Sequence, residues 1–191
     1  MWWDQEPDLT ALREGRALFR VSPVEGEKVL EGLASRGSSM SMLYLGDYYD
    51  RGELVPKDAD KALNYYKRAI DNGSVPATIY LASVLLRACR YDEARRCLEY
   101  GSSRNYAPAL YRLGWMQLKG FDRQPSVTEA RNSWERAYAL GHLRARRNLA
   151  FLYAKGGAGL FNIPLGVFMI AQLPFQLIRK LKEDPEKEFM R

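Results

Sequence analysis

The sequence predicts an all-α solenoid of about five antiparallel helix pairs, and two interleaved residue registers predict it. In the first, Tyr44-Leu45-Gly46, Tyr80-Leu81-Ala82, Arg112-Leu113-Gly114 and Asn148-Leu149-Ala150 recur with their leucines 36, 32 and 36 residues apart. A small residue stands four before each leucine (Ser41, Ala77, Ala109, Ala145), and seven after stand Gly52, Ala88, Gly120 and Gly156. In the second register, Ala62-Tyr66-Ala69-Gly73 recurs with the same offsets at Gly26-Leu30-Leu33-Gly37, Ala94-Leu98-Gly101-Asn105 and Ala130-Trp134-Ala137-Gly141. Offsets of four, three and four put these residues on one stripe of a helix. A period in the thirties with helical spacing inside it describes units that bury their apolar faces only against their neighbours.

Each unit reads as helix A, a loop, helix B and a turn. The A helices are expected near 8–20, 39–51, 76–89, 107–119 and 143–155, each centred on its anchor leucine or its equivalent. The B helices are expected near 23–36, 58–72, 91–104, 126–140 and 162–182. Ser22, Asp58, Arg90 and Ser126 precede the four clear stripes by four residues; Ser22, Asp58 and Ser126 are N-cap candidates, since their side chains accept from free helix N–H groups. Ser22-Pro23-Val24-Glu25 and Ser126-Val127-Thr128-Glu129 also fit a capping box. Every stripe ends on Gly or Asn, the types that tolerate the left-handed conformation past a helix end. The third pair is four residues shorter, because Arg90 joins its helices where the second has Gly-Glu-Leu-Val-Pro-Lys.

These residues resemble the Sel-one-like repeats (SLR), relatives of the tetratricopeptide repeats. Residues 41–73 carry the likeness best: small-x-x-x-Leu-Gly-x-x-Tyr-x-x-Gly, then Val55-Pro56-Lys57-Asp58, then Ala62, Tyr66, Ala69 and Gly73. Residues 107–141 match well and 76–105 loosely, and the likeness spans roughly 23–178. The resemblance implies a right-handed superhelix that serves as an adaptor or scaffold, often in bacterial assemblies at the envelope. It implies no conserved catalytic residue. The expected organisation is a degenerate capping helix pair over 1–38, repeats over 39–155, an apolar last helix over 156–183 and a charged tail over 184–191. Some relatives tie helix B of one repeat to helix A of the next by a disulfide; the equivalent sites here are Ile70 and Thr78.

Composition agrees with a binding protein. The chain has 191 residues, two cysteines, one histidine and a formal net charge of +6. Cys89 falls at an A–B turn and Cys97 almost two turns up helix B, a poor geometry for a bridge, so both read as free thiols in a reducing cytoplasm. The acidic start Met-Trp-Trp-Asp-Gln-Glu-Pro-Asp does not read as a secretory signal. Charge is uneven: residues 1–37 sum to −2, 38–105 to +1 and 106–191 to +7. The basic C-terminal half suits an acidic partner surface or anionic lipid, with nucleic acid a weaker reading. His142, one residue past a turn glycine, reads as a solvated or capping group. With no metal-ligand cluster, nucleophile elbow or phosphate loop, the expectation is a protein that is not an enzyme and takes no metal or cofactor.

Two surfaces are candidates for binding. By analogy with tetratricopeptide superhelices, the A helices line a groove. Positions two before and two after the anchor leucine then place Tyr111, Trp115, Arg147 and Phe151 there, and position six after adds a basic row, Arg51, Arg87, Lys119 and Lys155. Arg144 joins this set, and Tyr, Trp and Arg are the side chains most enriched at binding hot spots. The opposing reading makes Tyr111 and Phe151 partly core and the basic row a complement to the helix dipoles.

The second surface is the last helix. No charge occurs from Gly156 to Ile178, 23 residues. Its stripe falls at Gly166, Ile170, Leu173 and Leu177 with Asn162 as cap, yet Phe168, Met169 and Phe175 stand where other repeats carry Asn64 or Asn132, Ser133 and Asp71. A transmembrane span, an interfacial or docking face with basic flanks, and a helix that merely closes the solenoid remain open; exposed apolar patches favour the second. The sequence thus points to an adaptor binding a protein with an acidic or apolar surface, cytoplasmic or peripheral at an inner membrane. The alternatives are lipid or membrane-protein anchoring, or homodimerisation, through the last helix, and RNA binding that rests on charge alone.

Overall fold

The computed structural model describes residues 6–156 and 162–172. Among them are nine bounded helices, a helical segment at 163–172 and no strand. The helices are α1 (Leu9–Val21), α2 (Pro23–Ser35), α3 (Ser39–Arg51), α4 (Ala59–Asp71), α5 (Ala77–Arg87), α6 (Tyr91–Ser103), α7 (Ala107–Lys119), α8 (Val127–Ala139) and α9 (Leu143–Ala154); the 163–172 segment is α10. The A and B helices therefore stand where the two registers place them. The part of the last helix beyond 172, with Leu173, Phe175 and Leu177, lies outside the described residues.

Two sets of backbone hydrogen bonds explain why one register serves every repeat. At the B-to-A turns, the N–H groups of Ser38, Ser74, Tyr106 and His142 donate to the carbonyls of Leu33, Ala69, Gly101 and Ala137, at 2.8–3.0 Å. The residue before each of those donors (Gly37, Gly73, Asn105, Gly141) has φ between 54° and 90°, so the Gly-or-Asn rule has a steric cause. At the A-to-B turns, Asp58, Arg90 and Ser126 donate their N–H to the carbonyls of Tyr49, Leu85 and Gln117, each four past an anchor leucine, at 2.9–3.0 Å. The short third loop keeps this closure. There the left-handed residue is Cys89, at φ 56°, rather than the aligned Ala88.

Caps follow the sequence in part. Asp58 accepts from Lys61 N–H at 2.9 Å and Ser126 from Glu129 N–H at 3.2 Å. The expected cap at Ser22 does not form: its side chain makes no capping bond, and Pro23 opens α2 at a position whose missing N–H costs nothing. Asp8 and Ser38 cap α1 and α3.

Contacts divide the chain into two compact units, 1–109 and 110–191. In the first, the core is built from Phe19, Leu30, Leu33, Leu45, Tyr66, Leu85 and Leu98, each 2% exposed or less. A polar seam joins α2, α3 and α4: the hydroxyls of Tyr49 and Tyr65 donate to Glu27 and Glu31, and Arg68 reaches Glu31 at 3.4 Å. Burial first, and these carboxylates second, raise both tyrosine pKa values, so the hydroxyls stay donors.

In the second unit the core is Leu110, Trp134, Ala137, Ala145, Leu149, Ala150, Tyr153 and Met169. Helix crossings use the residue after each anchor leucine. A Cβ on Gly114 would meet the Trp134 ring at 2.6 Å, and in the first unit one on Gly46 would meet Tyr66 at 2.5 Å. Glycine thus faces an aromatic on helix B, whereas alanine stands at 150, where the equivalent helix B residue is Ile170, packed against the same core. Tighter still are Gly26, where a Cβ would lie 2.2 Å from the Cα of Phe19, and Gly166, where it would lie 2.2 Å from the backbone nitrogen of Ala154.

Candidate binding surfaces

The candidate A-helix surface lies wholly in the second unit. Tyr111, Trp115 and Lys119 follow one another at single-turn spacing on α7, and Arg144, Arg147, Phe151 and Lys155 recur at three and four on α9 and its C-cap. Trp115 and Phe151 are 38% and 48% exposed. Lys119, Arg144, Arg147 and Lys155 are all exposed. Trp115 leans on Phe121 with ring centroids 4.9 Å apart. Tyr111 differs: it packs against the unit's core and stacks on His142 at 4.6 Å. His142 itself caps α9, its Nδ1 accepting from Ala145 N–H at 3.2 Å.

The basic row is not electrostatically uniform. In the first unit, Arg51 bonds Asp47 at 2.8 Å and Arg87 bonds Asp50. The positions of Asp47 and Asp50 are occupied in α7 by Trp115 and Leu118, and in α9 by Phe151 and Ala154. Acids thus give way to aromatic or aliphatic side chains. Among the described residues Lys119, Arg144, Arg147 and Lys155 pair with no acid. Their charge is left to solvent or to a partner.

On α10 the structure separates the residues expected to form one apolar face. Phe168 is 59% exposed, with Leu165 and Val167 beside it at 47% and 56%. Met169 is a correction: it is 8% exposed and belongs to the core. Comparison with Ser133 alone suggested an outward position, but Ser133 and Tyr65 of the same register are themselves 7% exposed. Phe175 lies outside the described residues. No helix among the described residues is long and apolar enough to cross a membrane.

Sequence reasoning missed Arg146. It stands three before its anchor leucine, where other repeats bury Met42, Thr78 and Leu110, and it is 2% exposed. Its Nη2 donates to the Gln172 Oε1 at 2.8 Å, and its guanidinium lies 5.8 Å from the Tyr138 ring centre. A cleft of about 360 Å³ opens beside it, walled by Glu135, Tyr138, Tyr153, Leu165, Phe168 and Gln172. The Tyr153 hydroxyl donates to Glu135 at 2.7 Å; burial, with Glu135 next, pushes the Tyr153 pKa up to about 12. The signal was available: an arginine in a register that is apolar or buried in every other repeat.

Comparison with known proteins bears on the fold. The Sel1 repeat family model matches residues 39–74 and 107–142, the α3–α4 and α7–α8 pairs. A Sel1 repeat protein from Oxalobacter formigenes is 21% identical and superposes with a TM-score of 0.69 over 84% of this chain and 69% of that one. The protective antigen c5321 of uropathogenic Escherichia coli, which displays an SLR fold, is 17% identical with a TM-score of 0.70, over 94% of this chain and 46% of that one. In Mus musculus, DAP3-binding cell death enhancer 1 is 27% identical over 110 residues, 56% of this chain and 22% of that protein. The chain therefore spans about a fifth of the length of that relative. The molecule is an all-α repeat protein, of a kind that commonly scaffolds protein–protein contacts and is typically non-catalytic. Two of its helix pairs match Sel1 repeats, and the structural neighbours support the fold of an SLR helical-repeat protein.

Proposed function

We propose that this protein is a non-enzymatic adaptor whose α7 and α9 bind a partner with an acidic, partly apolar surface. One observation carries the reading: Arg51 and Arg87 of the first unit's basic row pair with Asp47 and Asp50, while Lys119, Arg144, Arg147 and Lys155, on the helices that expose Trp115 and Phe151, pair with no acid among the described residues. An acidic partner would gain from pairing with charges that meet no acid among the described residues, and a buried indole would supply the hot spot. The reading extends to recruitment or regulation of a bacterial membrane-associated complex. Exposed Leu165, Val167 and Phe168 support a second, apolar contact. The mouse relative is named for binding another protein, which supports a binding role here.

The test is a quantitative co-precipitation from native membranes with wild type and a Trp115→Ala/Arg147→Ala variant. Both substitutions are at exposed positions, so the helical spectrum should be unchanged. Partner affinity should fall by about 2 kcal/mol or more if the two are hot spots. Equal recovery of the same partners by a folded double variant would reject this surface.

A further inference from the structure

Arg146 points to a second binding site, on a different face of α9. A buried guanidinium is tolerated when its charge is matched and its N–H groups are accepted. Among the described residues, Nε and Nη1 are buried without any acceptor, and the one bonded nitrogen meets a neutral amide. Glu135, the carboxylate of the cleft, is taken by the Tyr153 hydroxyl and faces Arg131 at 3.7 Å. The cleft thus holds an unmatched positive charge behind apolar walls: Tyr138, Leu165 and Phe168 are 40%, 47% and 59% exposed. Stability does not account for the arginine, since the same register is filled elsewhere by Met42, Thr78 and Leu110.

We propose that this cleft receives a carboxylate side chain carried beside a large apolar residue on a segment of a protein partner. Arg146 would donate its free N–H groups to the carboxylate, while Leu165, Phe168 and the Tyr138 ring cover the apolar neighbour. The small volume, at the low end of ligand sites, suits an acidic residue with one apolar companion better than a long acyl chain. The proposal does not depend on the α7–α9 surface, which uses other side chains.

The test uses the full chain and a capped pentapeptide, acetyl-Ser-Leu-Glu-Phe-Ser-amide, with its Glu→Gln counterpart and octanoate as controls. The acidic peptide should bind saturably, shift the Arg146 Nε–Hε resonance and bind at least tenfold more tightly than the glutamine peptide. Arg146→Met, which installs the residue of the α3 register, should keep the fold and erase that preference. Phe168→Asp, at an exposed position, should also lose the peptide while leaving the helical spectrum intact, so the idea survives a misfolded Arg146→Met. Equal binding of both peptides, no binding, or undiminished binding by either folded variant overturns it. Saturation of the Arg146 signal by octanoate but not by the peptide overturns it too, in favour of an acyl-carboxylate site.

Discussion

Two glycine-to-alanine changes, chemically identical, should move stability in opposite directions. At Gly166 on α10 the new methyl would sit 2.2 Å from Ala154 N and 2.7 Å from the Tyr153 carbonyl carbon, both backbone atoms that cannot swing aside. Ordinary contact begins at 3.4 Å, so α10 must withdraw from α9 by more than an ångström. Overpacking of this kind costs about 1–3 kcal/mol, and withdrawal also loosens Met169 and Ile170 from the core. Alanine's helix propensity returns about 1 kcal/mol. The net expectation is a loss of about 1–2 kcal/mol, with faster amide exchange along α9 and α10. Gly32, in the exposed face of α2, has nothing within 4 Å of the added Cβ, so only the propensity remains. Gly32→Ala should stabilise by about 0.5–1 kcal/mol. Urea unfolding monitored by circular dichroism reads both. A neutral or stabilising Gly166→Ala would refute the close seating of α10 on α9, and with it the cleft at Arg146.

Other outcomes follow from the same geometry. Phe168→Asn should leave the melting temperature nearly unchanged, whereas Met169→Asn, one residue on, should cost about 2–4 kcal/mol by thermal or urea unfolding, because it places an amide in the core. Gly73→Ala should destabilise by about 1 kcal/mol through its φ of +87° alone, since no atom lies within 4 Å of the new Cβ; Cys89→Gly, relieving φ 56°, should stabilise by a similar amount or less. The Cys97 thiol, raised to about 12 chiefly by burial and donating to the Thr78 carbonyl at 3.3 Å, should resist a thiol reagent at neutral pH. Exposed Cys89 should react at once, so the native chain titrates one fast thiol and a second only on unfolding.

The sequence alone determined the helices, their order and the chemistry of nearly every turn. Helix formation and chain reversal are local: Leu45 and its equivalents, the small residues beside them and a glycine such as Gly73 act within a few residues of themselves, so a period of 36 and 32 could be read directly. The Ser22 side chain makes no capping bond, although Pro23 at the first helical position leaves the Glu25 N–H in place, and nothing in the structure explains it; the left-handed site moved to Cys89 because the shortened loop shifted the turn by one residue. What the sequence could not settle was which cations are matched. Arg87 pairs with Asp50, 37 residues earlier, while on the helices of Lys119 and Lys155 the positions of Asp47 and Asp50 hold aromatic or aliphatic residues instead. Met169 turned inward and Arg146 was left with unaccepted N–H groups beside a cleft for the same reason. Burial and charge pairing are set by which faces of non-adjacent helices come together, and a coulombic or packing contact across 20–40 residues of chain leaves no local periodicity from which to read it.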